Sequence, residues 1–176
     1  MLWSERYIYT AIAKIFMRFV IHEHHARQLH YDFRLEIDGV LKSWAIPKGP
    51  SLNPVDKRLA VMVDDHLLEY FDFEGIIPEG QYGAGAVVIW DSGTYSLFEG
   101  GDPMEALKSG KIVMELHGKI IKGGFTLVKM KGRGEKNWLL IKRKDSYSQT
   151  EWTLQKALTE EKKNSLRERK PLCDIH

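Results

Sequence analysis

The sequence predicts a mainly β fold, a compact antiparallel β-barrel with short flanking helices, with a two-sheet sandwich as the alternative. Many short segments alternate apolar and polar side chains, as strands with one buried face do. Turn residues, chiefly Gly, Pro and Asp, separate these segments. At 176 residues, 43% of them hydrophobic, the chain is expected to form a single domain over 1–176 with one core.

The strands are predicted from this alternation and from the turns between them. Asp38-Gly39 is a two-residue hairpin signal. Asp91-Ser92-Gly93 is interpreted as a turn that ends one strand and begins the next. Residues 1–18 form either a short helix or a strand, since their periodicity fits both. The predicted strands are 19–23, 29–36, 40–45, 58–63, 86–90, 94–98, 111–117, 125–130 and 137–142.

Two helices are predicted from capping signals. Asp102, followed by Pro, is typical of an N-cap, and Gly110 ends this short helix. Ser148 and Glu151 form a candidate capping box that opens a second helix through Leu158.

The Gly-rich stretch 73–85 predicts a tight loop before a strand. It is not a phosphate-binding P-loop, because no Gly-Lys-Ser/Thr follows its glycines. Closely spaced glycines in such a place favour sharp backbone turns and bulges.

Charge and cysteine content exclude several classes of protein. Formal net charge is only +2, but residues 119–144 hold nine Lys or Arg against Glu135 alone, a local balance of 9 − 1 = +8. This basic stretch predicts contact with the backbone of a DNA duplex, whereas residues 64–79 are acidic. Cys173 is the single cysteine, which excludes an intrachain disulfide and favours the reducing cytoplasm. No apolar run approaches the roughly 20 residues of a membrane span.

A row of chemically active side chains follows one face of a predicted strand. His30, Asp32 and Arg34 share one parity, so they point to the same side, and the intervening residues are apolar. His24 shares that parity upstream, and His66 follows the strand 58–63. Imidazoles, a carboxylate and a guanidinium together suit a metal ion and a phosphate group.

Two metal-ligand sets are compatible with these residues. The first is His24, Asp32 and His66, which leaves His30 and Arg34 for a substrate anion. The second is His30, Asp32 and His66, the His-x-Asp…His form found in iron oxygenases. Additional donors at Arg34, Lys48, Arg58 and Tyr70 favour a phosphate ester.

Five motifs resemble the 3′-phosphoesterase domain of bacterial and archaeal DNA ligase D. They are residues 24–36, 38–45, 47–50, 64–66 and 77–85. The resemblance runs from about residue 18 to residue 145, so residues 146–176 are interpreted as a C-terminal extension, expected to be helical. The resemblance implies a compact β-barrel in a stand-alone form or an isolated piece, since neither a polymerase nor a ligase domain is present.

Matched by motif, the resemblance implies a Mn²⁺ site formed by His24, Asp32 and His66, with Co²⁺ or Zn²⁺ as other ions such a site accepts. Asp64 stands where the family has an acidic residue and is expected to orient a ligand. His22 replaces a Gln that is common in the family, and a substrate contact is its expected role.

The same resemblance implies the residues that handle phosphate. His30 would contact the scissile phosphate as a general acid, and Arg34 and Arg58 would clamp its oxygens. Lys48 and Tyr70 would complete the pocket.

The implied function is processing of DNA 3′ ends during end joining. Family members remove a 3′-terminal ribonucleoside and then the remaining 3′-phosphate, leaving a 3′-hydroxyl. Expected partners are primer-template or duplex 3′ ends and a separate ligase and polymerase of end joining, and we expect a monomer without membrane contact. The alternatives are an iron-dependent oxygenase and a non-catalytic module that binds DNA ends.

Overall fold

The strands close into a barrel, which confirms the predicted fold class. The computed structural model describes residues 15–168. Eight antiparallel strands form a ring in the order β1-β2-β3-β4-β9-β8-β7-β6, and pairing of β6 with β1 closes it. The short strand β5 lies outside the ring, paired with β6. The elements are β1 (Met17–His25), β2 (Leu29–Ile37), β3 (Val40–Ile46), β4 (Lys57–His66), a 3-10 helix (Leu68–Asp72), β5 (Gly75–Ile77), β6 (Gly85–Leu97), α1 (Pro103–Ser109), β7 (Lys111–Gly118), β8 (Lys122–Lys129), β9 (Asn137–Lys142) and α2 (Glu160–Glu168).

The apolar parity of each strand fills the barrel interior. On β2, for example, Tyr31, Phe33 and Leu35 are almost completely buried in the main core. Trp44 and Trp138 pack edge to face there, with ring centroids 5.8 Å apart. Because successive strand residues point to opposite faces, the other parity of β1, β2 and β3 lies on the outside of the barrel wall.

The predicted turn at Asp91-Ser92-Gly93 is wrong, because β6 runs through it without a break. These residues have another purpose. The Asp91 carboxylate accepts hydrogen bonds from the backbone N–H groups of Lys119, Ile120 and Ile121, and so holds the turn between β7 and β8. A Cβ at Gly93 would lie 2.1 Å from the carbonyl oxygen of His117, so only glycine permits this approach of two strands.

The first predicted helix is confirmed and the second is not. Asp102 caps α1 by accepting from the backbone N–H of Met104 at 3.0 Å. Residues 149–159, in contrast, are not helical, and α2 begins only at Glu160. Neither helix in residues 15–168 is long and apolar enough to cross a membrane.

The non-helical residues 149–158, here called the C-terminal strap, cross one end of the barrel. The strap begins against the loop after β3, where Gln149 donates its backbone N–H to the Leu52 carbonyl and the Trp152 indole donates to the Pro50 carbonyl. Further along, the Trp90 indole of β6 donates to the Gln155 carbonyl. These tertiary hydrogen bonds replace the intrahelical ones that the capping signal at Ser148 predicted.

Glu23 of β1 anchors the end of the strap. Its carboxylate is fully buried and accepts from the backbone N–H groups of Ala157 and Leu158 at 2.5 and 3.1 Å. Nε2 of His25 lies 2.6 Å from Oε1 of Glu23, and the Tyr31 hydroxyl donates to Oε2 at 3.4 Å. A buried carboxylate needs such partners, because an unpaired charge there is costly.

Candidate metal centre and phosphate site

The candidate site lies on the outside of the barrel wall, under the segment that follows β4. His22 and His24 of β1 meet Asp32 and Arg34 of β2, since the strand register pairs His22 with Asp32 and His24 with His30. The 3-10 helix covers this wall with a second apolar cluster, formed by Val20, Leu41 and Phe71. The polar row is therefore mostly buried, which the alternation of the sequence did not reveal.

Two imidazoles turn one ring nitrogen each toward Asp32. A carbonyl can only accept, so Nε2 of His24 is protonated and donates to the Gly83 carbonyl at 2.7 Å. For the same reason Nδ1 of His30 is protonated and donates to the Gln28 carbonyl at 3.0 Å. The other ring nitrogens face the carboxylate, with Nδ1 of His24 3.3 Å from Oδ2 of Asp32 and Nε2 of His30 3.5 Å from Oδ1. When these imidazoles are neutral, acceptors face acceptors, and a cation satisfies them.

His24, His30 and Asp32 thus fit a divalent metal ion. One potential ligand atom from each residue lies within 4.8 Å of the others. Backbone carbonyls that hold the outer N–H of each imidazole are typical of ordered metal ligands. Burial alone would raise the pKa of Asp32, but hydrogen bonds from His24 and His30 and the charge of Arg34 outweigh it and hold that pKa far below its usual range. The carboxylate is therefore ionised and ready to bind a cation.

His66 lies on the far side of Arg34 from this trio. Its Nδ1 is 3.0 Å from Nη1 of Arg34 and 3.0 Å from the backbone carbonyl of Asp64. Burial and the neighbouring guanidinium lower the pKa of His66, so the ring is neutral near pH 7. The trio shares two members with each predicted ligand set, and a metal role for His66 stays a prediction. Asp64 contacts His66 through its backbone carbonyl, and an orienting role for its side chain stays a prediction.

Arg34 is held from four directions. Nε donates to Nδ1 of His22 at 3.2 Å, Nη1 donates to Ser43 at 2.8 Å and faces His66, and Nη2 donates to Asp32 at 3.2 Å. A guanidinium has five N–H groups, so these contacts leave one, on Nη2, for a substrate oxygen. Sequence reasoning missed Ser43, although counting back from the Asp38-Gly39 hairpin pairs it with Arg34.

His22 is fully buried, so it contacts Arg34 instead of reaching solvent. Burial, together with the Arg34 charge, lowers the pKa of His22 to about 3, which keeps the ring neutral and its Nδ1 an acceptor. The Nε2 atom has no hydrogen-bond partner among the described residues. In this structure His22 contacts the guanidinium of Arg34, and a substrate contact of His22 stays a prediction.

Tyr70 closes the site from the 3-10 helix. The guanidinium carbon of Arg34 lies 5.0 Å from the Tyr70 ring centroid, and the Phe73 ring stacks on Tyr70 with a centroid distance of 4.6 Å. Burial raises the pKa of Tyr70 to about 12, so the phenol keeps its proton and remains a donor near neutral pH. A contribution of Tyr70 to a phosphate pocket stays a prediction.

Lys48 and Arg58 lie apart from this network. Strands β3 and β4 pair as far as Ala45 and Val61, so Lys48 and Arg58 follow and precede that pairing at the same end of the wall. Lys48 is exposed, and Arg58 forms an ion pair with Asp56 at 3.0 Å. Within residues 15–168, Nε of Arg58 is buried without a hydrogen-bond partner.

The basic stretch 119–144 lies away from the site. In the eight-strand ring β8 and β9 are across the barrel from β2 and β1. Its charge is also partly neutralised, because Lys129 pairs with Glu135 and the fully buried Lys142 pairs with Asp145 at 2.5 Å. A duplex contact by this stretch stays a prediction, and the topology separates it from the metal centre.

The fold and site define the class of protein: a small antiparallel barrel with a candidate His-His-Asp metal centre and a buried guanidinium on its wall. The chain belongs to the DNA ligase D 3′-phosphoesterase domain family, whose model matches residues 22–129.

Relatives with this domain are long, multifunctional proteins. The chain is 50% identical over 130 residues to the multifunctional non-homologous end joining protein LigD of Pseudomonas aeruginosa, covering 73% of this chain and 15% of that protein. The LigD of Mycolicibacterium smegmatis is 48% identical over 132 residues, covering 73% and 17% of the two chains. The LigD of Mycobacterium tuberculosis H37Rv is 48% identical over 131 residues, covering 74% and 16%. The chain thus spans about one sixth of the length of these relatives.

Proposed function

We propose that the chain is a metal-dependent phosphoesterase that trims DNA 3′ ends for end joining. It would remove a 3′-terminal ribonucleoside and then the 3′-phosphate, leaving a 3′-hydroxyl. The observation that carries the proposal is the ionised Asp32, which faces one ring nitrogen each of His24 and His30 on one side and the Arg34 guanidinium on the other. Asp32 therefore lies between the candidate cation site and the guanidinium that would bind an anion. The family match favours this reading over an iron oxygenase.

His24 and Asp32 are the metal ligands supported both by the geometry and by the family resemblance. Two residues compete for the third position: His30, which lies within ligand distance, and His66, which the resemblance implies. His66 can bind a cation through Nε2 only when its Nδ1 proton goes to the Asp64 carbonyl, 3.0 Å away. A bound Mn²⁺ would polarise a phosphoryl oxygen and lower the pKa of a coordinated water.

Hydrolysis replaces one P–O ester bond by a P–O bond from water. In the first reaction the terminal ribonucleoside leaves with its 5′ oxygen, and in the second the DNA leaves with its 3′ oxygen. Each leaving oxygen needs a proton. Where His66 is the third ligand, His30 is suited to supply it, because its hydrogen bond with Asp32 raises the pKa of the ring and its side chain is 24% exposed.

The cationic side chains would hold the phosphate. Arg34 offers its one uncommitted N–H, and the protonated phenol of Tyr70 lies beside it. Arg58 has an unpartnered buried Nε, and Lys48 is exposed at the same end of the wall. Such preorganised donors stabilise the charge that builds on phosphorus oxygens in the transition state.

The test is an end-trimming assay with a labelled primer-template that ends in one ribonucleotide or in a 3′-phosphate. With Mn²⁺ we expect shortening of the first strand and release of phosphate from the second. Neither reaction is expected with chelator or in Asp32→Asn. Absence of both reactions in folded, metal-loaded protein would refute the proposal and leave the DNA-end-binding module.

The biological context follows from the relatives. Because their names describe end joining, we propose that the trimmed end passes to a ligase and a polymerase of that process, which a cytoplasmic bacterial or archaeal protein would encounter.

A further inference from the structure

The Gly-rich loop 78–84 contacts the candidate metal centre through its backbone. The Gly83 carbonyl accepts from Nε2 of His24 at 2.7 Å, and a Cβ at Gly83 would lie 3.4 Å from the same ring. The next strand then begins against the turn between β1 and β2, because a Cβ at Gly85 would lie 3.0 Å from the Ala26 Cα. The loop and this turn therefore form one continuous edge beside the site.

Tyr82 is at the tip of this loop. Its exposed fraction of 93% is the highest among the exposed large hydrophobic side chains of residues 15–168. Isolated exposed apolar side chains are common and need no explanation. This ring, however, is one residue from the carbonyl that holds His24, and the φ angle of +76° at Gly83 turns the chain sharply there.

Arg27 lies in the neighbouring turn, directly after Ala26. It is exposed, and it forms no hydrogen bond or ion pair with any other residue that the structure describes. An unpaired guanidinium and an exposed aromatic ring on two loops whose backbones meet at Ala26 and Gly85 are a combination that suits single-stranded nucleic acid, because the cation contacts phosphate and the ring stacks on a base.

We propose that Tyr82 and Arg27 form the edge that holds the nucleotides next to the 3′ end. Tyr82 stacks on an unpaired base, and Arg27 contacts a phosphate of the same strand. The proposal rests on the proposed function, since it deepens the substrate recognition of that site. It predicts a preference for ends whose last bases are unpaired, because a base inside a duplex has no free face for the ring.

Two variants of Tyr82 separate stacking from other effects. Tyr82→Ala should raise KM for a strand ending in one ribonucleotide about tenfold with kcat unchanged, whereas Tyr82→Trp should keep the wild-type KM. Tyr147→Ala is the matched control, because Tyr147 is 49% exposed and lies after β9, on the opposite wall. Because the Tyr82 side chain is almost fully exposed, the unfolding midpoints of wild type, Tyr82→Ala and Tyr82→Trp should agree.

A modified substrate provides the second test. On a strand whose last residues before the ribonucleotide are abasic, wild type and Tyr82→Ala should have the same, raised KM. Arg27→Ala should weaken binding and reduce the slope of log Kd against log salt concentration by about 0.7, one phosphate contact to single strands. Lys111→Ala, an exposed residue of β7 outside the basic stretch 119–144, should leave that slope unchanged.

Fluorescence anisotropy with the same strands keeps this inference separate from the enzymatic proposal. If wild type binds but does not cleave, the proposed function fails, while weaker binding by Tyr82→Ala still supports the edge. Equal KM and equal Kd for wild type and Tyr82→Ala on the base-containing strand would overturn it.

Discussion

Nη1 of Arg34 lies 3.0 Å from Nδ1 of His66, so the guanidinium stands between that imidazole and the carboxylate of Asp32. Nδ1 of His66 thus faces a donor, Arg34, and an acceptor, the Asp64 carbonyl. The neutral ring can carry its proton on either nitrogen, and the position of that proton decides which nitrogen can bind a cation. When Nδ1 accepts from Arg34, Nε2 carries the proton and is not available to a cation. When Nδ1 donates to the Asp64 carbonyl, Nε2 has a free lone pair for a cation. The proposed metal role of His66 therefore requires this second tautomer.

Single alanine substitutions should identify the third ligand. We expect His24→Ala and Asp32→Ala to abolish stoichiometric Mn²⁺ binding, because these residues belong to the trio and to the family-implied set. Titration calorimetry of His30→Ala and His66→Ala then distinguishes the remaining two. The ligand variant should lose affinity by more than the roughly 10- to 100-fold typical of an orienting residue, and the other variant by less. His117→Ala, outside the site, is the control. Full affinity in His24→Ala would disprove the metal centre.

The stability of metal-free protein should fall as the pH is lowered from 7 to 5, and His22 should contribute to that fall. Its pKa drops from the usual 6.5 to about 3 on folding, so the unfolded chain binds the proton more tightly. Stability from this group is complete above pH 6.5 and is lost toward pH 3, at about 1.4 kcal/mol per pH unit. Burial lowers the pKa of His66 too, which adds to the slope.

Urea unfolding in chelator at pH 7, 6 and 5 measures this dependence. His22→Gln is the matched variant, because its side-chain oxygen can accept from Nε of Arg34 but does not titrate. The variant should lose stability less steeply with falling pH than the wild type. Parallel slopes would show that His22 is not the titrating group.

Removing the anchor of the C-terminal strap should destabilise the fold. Glu23→Ala leaves the N–H groups of Ala157 and Leu158 without their acceptor, and we expect a loss of about 2–4 kcal/mol. Hydrogen exchange of these two amides should accelerate in the variant. Glu99→Ala replaces an exposed glutamate that follows β6. It should change neither the free energy of unfolding nor the exchange of these two amides. Unchanged exchange in Glu23→Ala would mean that the strap is held by its tryptophan contacts alone.

The buried Lys142 should depend on Asp145. The Lys142 side chain is inaccessible to solvent. Its ammonium donates to the Asp145 carboxylate and to the carbonyls of Gly124 and Arg143. Asp145→Asn removes the opposite charge, so we expect about 1–3 kcal/mol of destabilisation at pH 7 by urea unfolding.

The pH dependence of that difference has a definite sign. Burial would raise the pKa of Asp145, but hydrogen bonds from Lys142 and from the backbone of Gly124 and Tyr147 lower it overall. The stabilisation is therefore present above the unfolded pKa of about 3.9 and disappears as the pH falls through the folded value. Glu135→Gln, in a surface pair, is the control and should leave the midpoint unchanged. A variant as stable as wild type at pH 7 would contradict the assigned pair.

Much of the fold could be predicted because its signals are local. The Asp38-Gly39 turn fixes the pairing of β2 with β3, and alternation along β2 separates the core side from the site side. Where prediction failed, distant partners had changed the meaning of a local signal. Asp91 and Gly93 are typical turn residues, but here they lie within β6. The Asp91 carboxylate holds the turn between β7 and β8, and Gly93 allows the close approach of β7. The capping signal at Ser148 is overridden by contacts with the barrel end.

By itself the sequence determined the barrel class, the polar row of His30, Asp32 and Arg34 on one strand face, and the family motifs. Strand geometry makes these properties local, since a side chain's face depends only on its parity. The tertiary structure decided which atoms meet. The Gly83 carbonyl that orients His24 comes from 59 residues away, and the proton position on His66 depends on Arg34 and a backbone carbonyl. Such contacts depend on register, loop path and burial, because hydrogen bonds join particular atoms across segments that the chain brings together only on folding.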